Sequence, residues 1–405
     1  MAVFIEKEAS RCLQCKKPMC SKFCPVSTPI PEIINLFKQD RVMEAGAELF
    51  SNNPMSLVCA MVCNHENQCA GHCVLGRKGI PVTFYEIEKF VSETYLSRLQ
   101  VEKAALNGKN VAVIGSGPSG LTVAILMARK GYQVTIFERK NNIGGMLRYG
   151  IPDFRLPEGI LDQYKLLLKK LRIQIRLNTT IGGALRIDTL LNDGYDAIFI
   201  GTGVWRPNTL GIPGESHANV HFGISYLENP KNHDLGEIVS VIGMGNVAMD
   251  AARTAFRNGA RRVMLFSRDN MATASTHEMD YTRLDGAEFI YGKQIVRITQ
   301  EGAVFKNSIL DPEGHVIGLS EEETLVLSDS VIIAISQGPK DKLILSTEHL
   351  EGNAKGLLMV DENHMTTREG IFAGGDVVTG PKTVVHAVAE AKEAAAAMDR
   401  YLQSK

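Results

Sequence analysis

The sequence predicts an α/β protein with two doubly wound, Rossmann-like dinucleotide-binding domains preceded by a helical, cysteine-rich domain. Two repeats of strand, glycine-rich turn, helix and strand, at residues 110–139 and 237–269, predict the two doubly wound domains. Eight cysteines confined to residues 12–73 mark the preceding domain. A chain of 405 residues is long enough for two or three domains.

Composition and charge exclude several classes of protein. The net charge of −1 gives no global attraction to nucleic acid or to an anionic membrane. The first ten residues lack the basic and apolar regions of a secretory signal, and no apolar stretch approaches the ~20 residues of a membrane span. We therefore expect a cytoplasmic protein, in which structural disulfides are rare.

Helices are expected on both sides of the second cysteine group. Residues 31–50 and 82–99 have apolar side chains at helical spacing, and Pro31 stands near the start of the first stretch. Residues 102–110 resemble a linker. The helical domain is therefore expected to span residues 1–105.

The first repeat contains the glycine pattern Gly115, Gly117 and Gly120 between an apolar strand and a helix expected at 119–130. The first glycine permits the tight turn, the second lets a pyrophosphate approach the helix N-terminus, and the third allows close helix–strand packing. Glu138 ends the next strand and suits the ribose hydroxyls of an adenosine. The alternative is a glycine-rich turn without a ligand.

Later features favour FAD over NAD at this first turn. A glycine pair lies in residues 141–147, a strand in residues 195–203 ends in a small-residue turn, and Gly375-Asp376 precedes a helix expected to begin near Thr383. The start of that helix suits the electron-rich edge of the isoalloxazine. The residues expected at the FAD site are Gly115, Gly117, Pro118, Ser119, Gly120, Glu138, Arg139, Gly145, Met146, Leu147, Ile181, Gly203, Gly375, Asp376, Lys382, Thr383 and Val384.

The second repeat differs from the first where the strand after the helix ends. Ser267 stands in the position of the glutamate, and Arg268 follows it, so the carboxylate that would repel a 2′-phosphate is missing. This favours NADP(H) over NAD(H), although Asp269 lies nearby and Arg268 could be an ordinary surface arginine. The residues expected at this NAD(P) site are Gly243, Gly245, Asn246, Val247, Ala248, Ser267, Arg268, Gln337 and Gly338.

The order of these features predicts one domain inserted into another. An NAD(P)H-binding domain at 234–335 would interrupt an FAD-binding domain made of 106–233 and 336–405. Such an insertion would bring a nicotinamide to the flavin for hydride transfer. The cofactors carry that chemistry, so we nominate no catalytic acid or base.

The electrons on the flavin need an outlet, and the flavin domain has no cysteine. The N-terminal cysteines are then the candidates, as ligands of iron–sulfur clusters. Cys24-Pro25 resembles the Cys-Pro that closes ferredoxin runs. Zinc is the rival interpretation, with His65 and His72 as possible ligands, and disulfides are a weaker one.

The two cysteine groups, C-x2-C-x4-C-x3-C-P and C-x3-C-x5-C-x3-C, are followed by "CVLGRKGIPV". With "RYGIPDFRLP" at 148–157 and "GGDVVTGPKTVV" at 374–385, they resemble the small-subunit family of NADPH-dependent glutamate synthase. They equally resemble the N-terminal half of dihydropyrimidine dehydrogenase and its separate bacterial subunit. Flavoprotein subunits of bifurcating ferredoxin:NADP oxidoreductases are a third relative.

The resemblance implies a helical iron–sulfur domain with two [4Fe–4S] clusters whose ligands interleave. One cluster would take Cys12, Cys15, Cys20 and Cys73. The other would take Cys24, Cys63, Cys69 and Glu88. Cys59 would be spare, Arg155 would contact the flavin, and Arg268 would bind the adenosine phosphate of NADPH.

The expected function is that of an electron-input subunit. It would pass electrons from NAD(P)H through FAD and two [4Fe–4S] clusters to a partner catalytic subunit, which we expect to be a flavin or iron–sulfur enzyme itself. The alternatives are a stand-alone NAD(P)H oxidoreductase with structural zinc, a bifurcating ferredoxin:NADP oxidoreductase subunit and a non-enzymatic redox sensor.

Overall fold

The computed structural model describes residues 2–99 and 104–405 and divides into two compact units. The first takes in the chain up to Arg148, Asp153–Val204 and Pro339–Lys405, and the second takes in Tyr149–Pro152 and Trp205–Gly338. The second unit extends beyond the expected 234–335 because the segment after residue 205 supplies it with strands and a helix. Residues 100–103, which include the start of the expected linker at 102–110, lie outside the described residues.

The cysteine-bearing part of the first unit is helical. Its helices bury apolar side chains against one another, among them Ile33, Leu49 and Ile87. The α-helices are Ala2–Ser10, Met19–Lys22, Ile30–Lys38, Val42–Asn52, Ser56–Val62 and Phe84–Arg98, with 3₁₀ turns at His65–Asn67 and Val74–Arg77.

The helical pattern over residues 31–50 forms two helices rather than one continuous helix. Asp40 adopts a φ of 58°, and the backbone N–H of Arg41 donates to the carbonyl of Leu36 (3.0 Å). This left-handed residue closes the first helix and turns the chain. The helix expected at 82–99 is Phe84–Arg98.

The first unit also contains a parallel sheet of five strands. Their spatial order is Ile371–Ala373, Ala197–Ile200, Asn110–Ile114, Gln133–Phe137 and Gln174–Arg176. The non-sequential order places crossover helices on the faces, as in a doubly wound fold. The remaining helices of this part of the chain are Pro118–Arg129, Met146–Tyr149, Glu158–Lys170, Ile187–Asn192, Lys342–Leu345, Asp376–Thr379 and Val384–Gln403.

The second unit repeats this topology. Its parallel sheet has the order Val220–Phe222, Ser330–Ile333, Ile238–Ile242, Arg262–Phe266 and Glu288–Ile290. The two doubly wound sheets confirm the predicted fold class. Its helices are Gly223–Glu228, Asn246–Arg257 and Thr276–Leu284, with a 3₁₀ turn at Pro230–Asn232.

Two smaller sheets complete the second unit. An antiparallel sheet consists of Lys293–Thr299, Gly302–Leu310 and Val316–Leu327, and Arg206–Pro207 pairs with Gln337–Gly338. Within the described residues, no helix combines the length and apolar character needed to cross a bilayer.

Candidate functional site

The first glycine turn forms a cradle at the start of helix Pro118–Arg129. Gly115 has a φ of 99°, and a Cβ there would lie 2.6 Å from the carbonyl oxygen of Gly201. A Cβ at Gly120 would lie 2.0 Å from the carbonyl oxygen of Gly115. A Cβ at Gly117 would meet nothing within 4 Å. The turn is therefore tightly packed beneath and open at the middle glycine, which fits a pyrophosphate on the helix N-terminus.

Glu138 lies beside this turn and is only 5% exposed. Its Oε2 accepts hydrogen bonds from the backbone N–H (2.9 Å) and hydroxyl (2.5 Å) of Ser116, and its Oε1 accepts one from the N–H of Lys140 (2.8 Å). These bonds fix the carboxylate while leaving acceptor capacity for ribose hydroxyls. Ser116 was missed at the sequence level because its type gives no signal inside the glycine pattern.

Two later segments return to the same turn. A Cβ at Gly145 would lie 2.8 Å from Cα of Gly117, and one at Gly375 would lie 3.1 Å from Cβ of Ser119. The Ser119 hydroxyl donates to the carbonyl of Gly374 (3.0 Å). Residues expected to share the FAD site from distant parts of the sequence are thus brought together.

Asp376 begins the short helix that follows the last of these segments. Its Oδ1 accepts a hydrogen bond from the N–H of Lys382 (3.2 Å), and burial raises its pKa to about 7. Thr383 is the N-cap position of helix Val384–Gln403, so the predicted helix start is confirmed. A buried acid beside a helix N-terminus suits polar groups of a flavin nucleotide.

The other expected FAD residues are less closely grouped. Met146 and Leu147 begin the helix that follows Gly145, and Gly203 follows the strand Ala197–Ile200 with a φ of 67°. Ile181 belongs to the hydrophobic core and is 6% exposed. Arg139 is exposed and Arg155 half-buried, and their place at a flavin stays a prediction.

The second glycine turn repeats the first within its own unit. Gly243 has a φ of 123°, and a Cβ there would lie 2.4 Å from the carbonyl oxygen of Ala334. Gly245 is the N-cap of helix Asn246–Arg257, and a Cβ on it would meet only the Thr273 hydroxyl, at 3.5 Å. Ala248 is fully buried, whereas Val247 is half-buried. This turn too leaves its middle glycine open.

The acidic position of the first turn has a different character here. The Ser267 hydroxyl accepts a hydrogen bond from the N–H of Asp269 (3.1 Å). The Arg268 side chain is 67% exposed, and its Nε lies 3.8 Å from Oδ1 of Asp269. An exposed cation next to a serine suits a 2′-phosphate, and the carboxylate of Asp269 opposes it. Gln337 is buried and Gly338 half-buried in the two-stranded sheet.

The cysteines divide between two cavities in the first unit. One, here called the outer cavity, opens beside exposed Leu13 and Val74. Its lining cysteines are Cys12, Cys15, Cys20, Cys69 and Cys73. Cys73 thus lies in the same cavity as cysteines of the first group, although it is far from them in the sequence. His72 lines this cavity too, and its Nδ1 pairs with the carbonyl of Gln68 (2.7 Å).

The second, here called the inner cavity, lies among more deeply buried groups. Its lining cysteines and acid are Cys24, Cys59, Cys63, Cys69 and Glu88, and His65 lines it as well. Cys69 therefore lines both cavities. The spacing alone suggests two separate groups of four consecutive cysteines. The fold instead mixes cysteines of both groups in each cavity.

Glu88 is a buried acid, 7% exposed, on helix Phe84–Arg98. Burial, followed by the charge of Cys59, raises its pKa well above the ordinary value. Within residues 2–99 and 104–405, no hydrogen bond or ion pair of its carboxylate is found. An unpaired buried carboxyl is costly unless it binds a metal or stays protonated, which fits a ligand position.

Burial also favours the neutral form of several thiols that line the two cavities. It raises the pKa of Cys20 to about 11, and it raises the pKa values of Cys24 and Cys69. The hydrogen bond between Cys59 and Cys63 lowers the pKa of Cys59 and raises that of Cys63. Metal binding would therefore release protons from these cavities.

The cysteines lie on the walls of two cavities. Among the residues that the structure describes, no three Cys, His, Asp or Glu side chains converge as ligands of one metal ion do. Zinc draws its ligands to within ~2.3 Å of one point. An iron–sulfur cluster spreads its thiolates around a larger inorganic core, which suits cysteines on the wall of a cavity.

The inner cavity also reaches the helix that follows the flavin segments. Val385, in the first turn of Val384–Gln403, lines it. Farther along that helix, the Lys392 ammonium donates to the carbonyl of Val26 (3.2 Å) and to Oδ1 of Asn52 (2.8 Å). Lys392 was missed at the sequence level, because a lysine on an amphipathic helix is ordinarily a surface residue.

Two family models match this chain. The model described as pyridine nucleotide-disulphide oxidoreductase matches residues 109–391. The model described as dihydropyrimidine dehydrogenase domain II, 4Fe-4S cluster, matches residues 3–99. The first covers both glycine turns and the second covers all eight cysteines.

Full-length relatives are similar over nearly the whole chain. The glutamate synthase [NADPH] small chain of Halomonas elongata is 32% identical, with 98% of this chain and 90% of the relative covered. The NAD-dependent dihydropyrimidine dehydrogenase subunit PreT of Escherichia coli is 31% identical, with 98% and 94% covered.

Solved structures share the fold at lower identity. FprA from Mycobacterium tuberculosis in complex with NADPH superposes with a TM-score of 0.61 at 17% identity, over 73% of this chain and 85% of that one. Thioredoxin reductase from T. acidophilum gives 0.57 at 19%, over 73% and 99%. The chain therefore belongs to the pyridine nucleotide-disulphide oxidoreductase family, as an FAD- and iron–sulfur-containing oxidoreductase related to the glutamate synthase small chains and the PreT subunits.

Proposed function

We propose that this protein is an electron-input subunit, which takes electrons from NADPH and delivers them through FAD and two [4Fe–4S] clusters to a catalytic partner. The observation that carries the proposal is the position of Val385. It lines the inner cavity and directly follows Val384, an expected flavin contact at the start of the same helix. The inner cavity, with its proposed cysteine ligands, therefore lies beside the expected flavin segment at Val384 within one compact unit.

The proposed ligand sets follow the two cavities. Cys12, Cys15, Cys20 and Cys73 would hold the outer cluster, and all four line the outer cavity. Cys24, Cys63, Cys69 and Glu88 would hold the inner cluster, and all four line the inner cavity. Because Cys69 lines both cavities, the two clusters would be neighbours, as one-electron transfer between them needs.

When bound, FAD accepts a two-electron hydride and releases electrons singly to iron–sulfur clusters. The chain's residues supply binding and orientation. The open middle glycine of each turn would accommodate a pyrophosphate, and Glu138 would hold a ribose. Arg268 would attract the 2′-phosphate of NADPH, and the absence of a carboxylate at Ser267 would avoid repelling it.

A partner is proposed from the relatives. The similar proteins named above are a small chain of glutamate synthase and a subunit of dihydropyrimidine dehydrogenase. Both are parts of larger enzymes, as their names say. The proposed function assigns substrate chemistry to a second polypeptide and assigns electron supply to this one.

The test combines metal analysis with turnover. The purified chain, reconstituted with FAD, iron and sulfide, should contain about eight iron atoms and should oxidise NADPH steadily with ferricyanide as acceptor. Bound zinc without iron would support the stand-alone oxidoreductase instead. Absence of turnover in the fully loaded chain would defeat the proposal and favour a redox sensor.

A further inference from the structure

We propose that the rim of the outer cavity is the docking surface for an electron-accepting protein with an acidic surface around its own one-electron centre. The inference rests on the proposed function, because it takes the outer cavity to hold the exit cluster. It adds the location of the interface and the charge of the partner.

The rim of the outer cavity carries a positive charge. The two segments that form the rim, residues 12–23 and 69–81, contain no acidic residue. Their basic residues are Lys16, Lys17, Lys22, Arg77 and Lys78, all of them exposed. None of these five forms an ion pair with any other residue in 2–99 or 104–405. The whole chain has a net charge of −1, so this positive charge is a local feature.

The two segments form one surface. Arg11, just before the first segment, donates to the carbonyl of Pro81 (3.3 Å) and also to that of Ile80. Its own charge is matched by Glu8, whose Oε1 lies 2.8 Å from Nη1 of Arg11. The ring of His72 stacks on Phe23 at a centroid distance of 3.6 Å, which joins the segments a second time.

This surface has an apolar centre. Leu13 is 59% exposed and Val74 is 38% exposed, and both line the mouth of the outer cavity. Phe23 and Ile80 are exposed nearby on the same two segments. Exposed apolar side chains accompanied by basic residues are typical of a protein interface. In such an interface the apolar centre gives affinity, and the charged residues at its edge select the partner.

An acidic redox protein fits this surface better than a bilayer or a nucleic acid. The apolar and basic side chains belong to the same two segments as the cysteines that line the opening, so contact there would bring an acceptor close to the exit cluster. Each encounter would pass one electron outward. Two encounters would discharge the two electrons of one hydride from NADPH, and its proton would pass to solvent.

The test uses the loaded chain and two small protein acceptors of opposite charge. NADPH-driven reduction of an acidic plant-type ferredoxin and of basic cytochrome c is measured at low and moderate salt. For the K17E/K78E variant, we expect ferredoxin kcat/KM to fall about tenfold at low salt, and less when salt screens the charges. Cytochrome c should be reduced equally fast or faster. The matched control K169E/K355E reverses two exposed lysines elsewhere in the same unit and should change neither rate.

Several results would overturn the docking site. Equal loss in both double variants would assign the effect to net charge alone. An unchanged ferredoxin rate in K17E/K78E would remove the rim from the electron path, as would charge-dependent binding to phosphatidylserine vesicles without an effect on ferredoxin. Cluster reduction by NADPH, followed by electron paramagnetic resonance, is recorded in parallel. Its absence in the unaltered chain would defeat the proposed function rather than the docking site.

Discussion

The inner and outer cavities are both lined by cysteines and share Cys69, yet they differ in their surroundings. The inner cavity includes a buried acid, Glu88, and a residue of the C-terminal helix, Val385. The outer cavity opens beside exposed apolar side chains and unpaired basic residues. The difference supports the proposed direction of electron flow, in which the inner site would receive electrons from the flavin and the outer site would deliver them to the partner.

The largest expected effect separates two cysteines of the inner cavity. Cys63→Ser should lose one cluster, so that iron falls by about half, because a serine hydroxyl replaces a proposed ligand. Cys59→Ser is the matched control, since Cys59 lines the same cavity one helical turn earlier. It should keep both clusters. Iron and sulfide analysis of the two variants decides the point, and halved iron in Cys59→Ser would contradict the proposed ligand set.

Glu88→Ala should change the inner cluster without removing the flavin. Loss of the proposed carboxylate ligand is expected to alter one of two cluster signals in electron paramagnetic resonance, while the flavin absorption stays as in the unaltered chain. Glu86→Ala, which lies at the start of the same helix, is the control and should alter neither. Two unchanged cluster signals in Glu88→Ala would make this residue an ordinary buried acid.

Arg268→Ala tests the difference between the two glycine turns. We expect kcat/KM for NADPH to fall about tenfold, or ~1.4 kcal/mol, and that for NADH to stay nearly constant, because only NADPH has the 2′-phosphate. Arg261→Ala removes another exposed arginine of the same unit and should affect neither coenzyme. Equal or better use of NADH by the unaltered chain would contradict the preference.

The smallest expected effect concerns the support of the inner cavity. Lys392→Met removes the hydrogen bonds to Val26 and Asn52, which should lower the free energy of unfolding by about 2 kcal/mol. Arg400→Met, on the same helix, is the control and should cost less than ~0.5 kcal/mol, because its side chain is exposed. Denaturant unfolding of the loaded protein measures both. Equal losses would show that Lys392 is not a special contact.

The sequence predicted the repeats well because each depends on local chemistry. Glycine spacing at residues 115–120 and 243–248, with apolar strands on both sides, requires one kind of strand–turn–helix unit. The helix start at Thr383 followed from the same kind of local pattern. The break between the two helices in residues 31–50 was harder to predict, because helical spacing alone does not show that Asp40 adopts a left-handed backbone conformation.

The groups of cysteines that share a cavity were harder to predict from the sequence, for a different reason. Which cysteines share a cavity depends on how the helices pack, and no spacing rule relates Cys73 to Cys12. The interleaved sets came from a family resemblance, and the cavities support them. Ser116 and Lys392 gave no signal at all, since their roles arise from contacts between segments far apart in the chain.

The central claim is that electrons pass from the flavin through the inner site to the outer one. The most direct test is anaerobic reduction by NADPH of the Cys63→Ser variant, reconstituted with FAD and its remaining cluster, compared with the unaltered chain. We expect the flavin to bleach while the outer cluster stays oxidised. Dithionite should still reduce the outer cluster. Reduction of the outer cluster by NADPH at the rate of the unaltered chain would contradict the account.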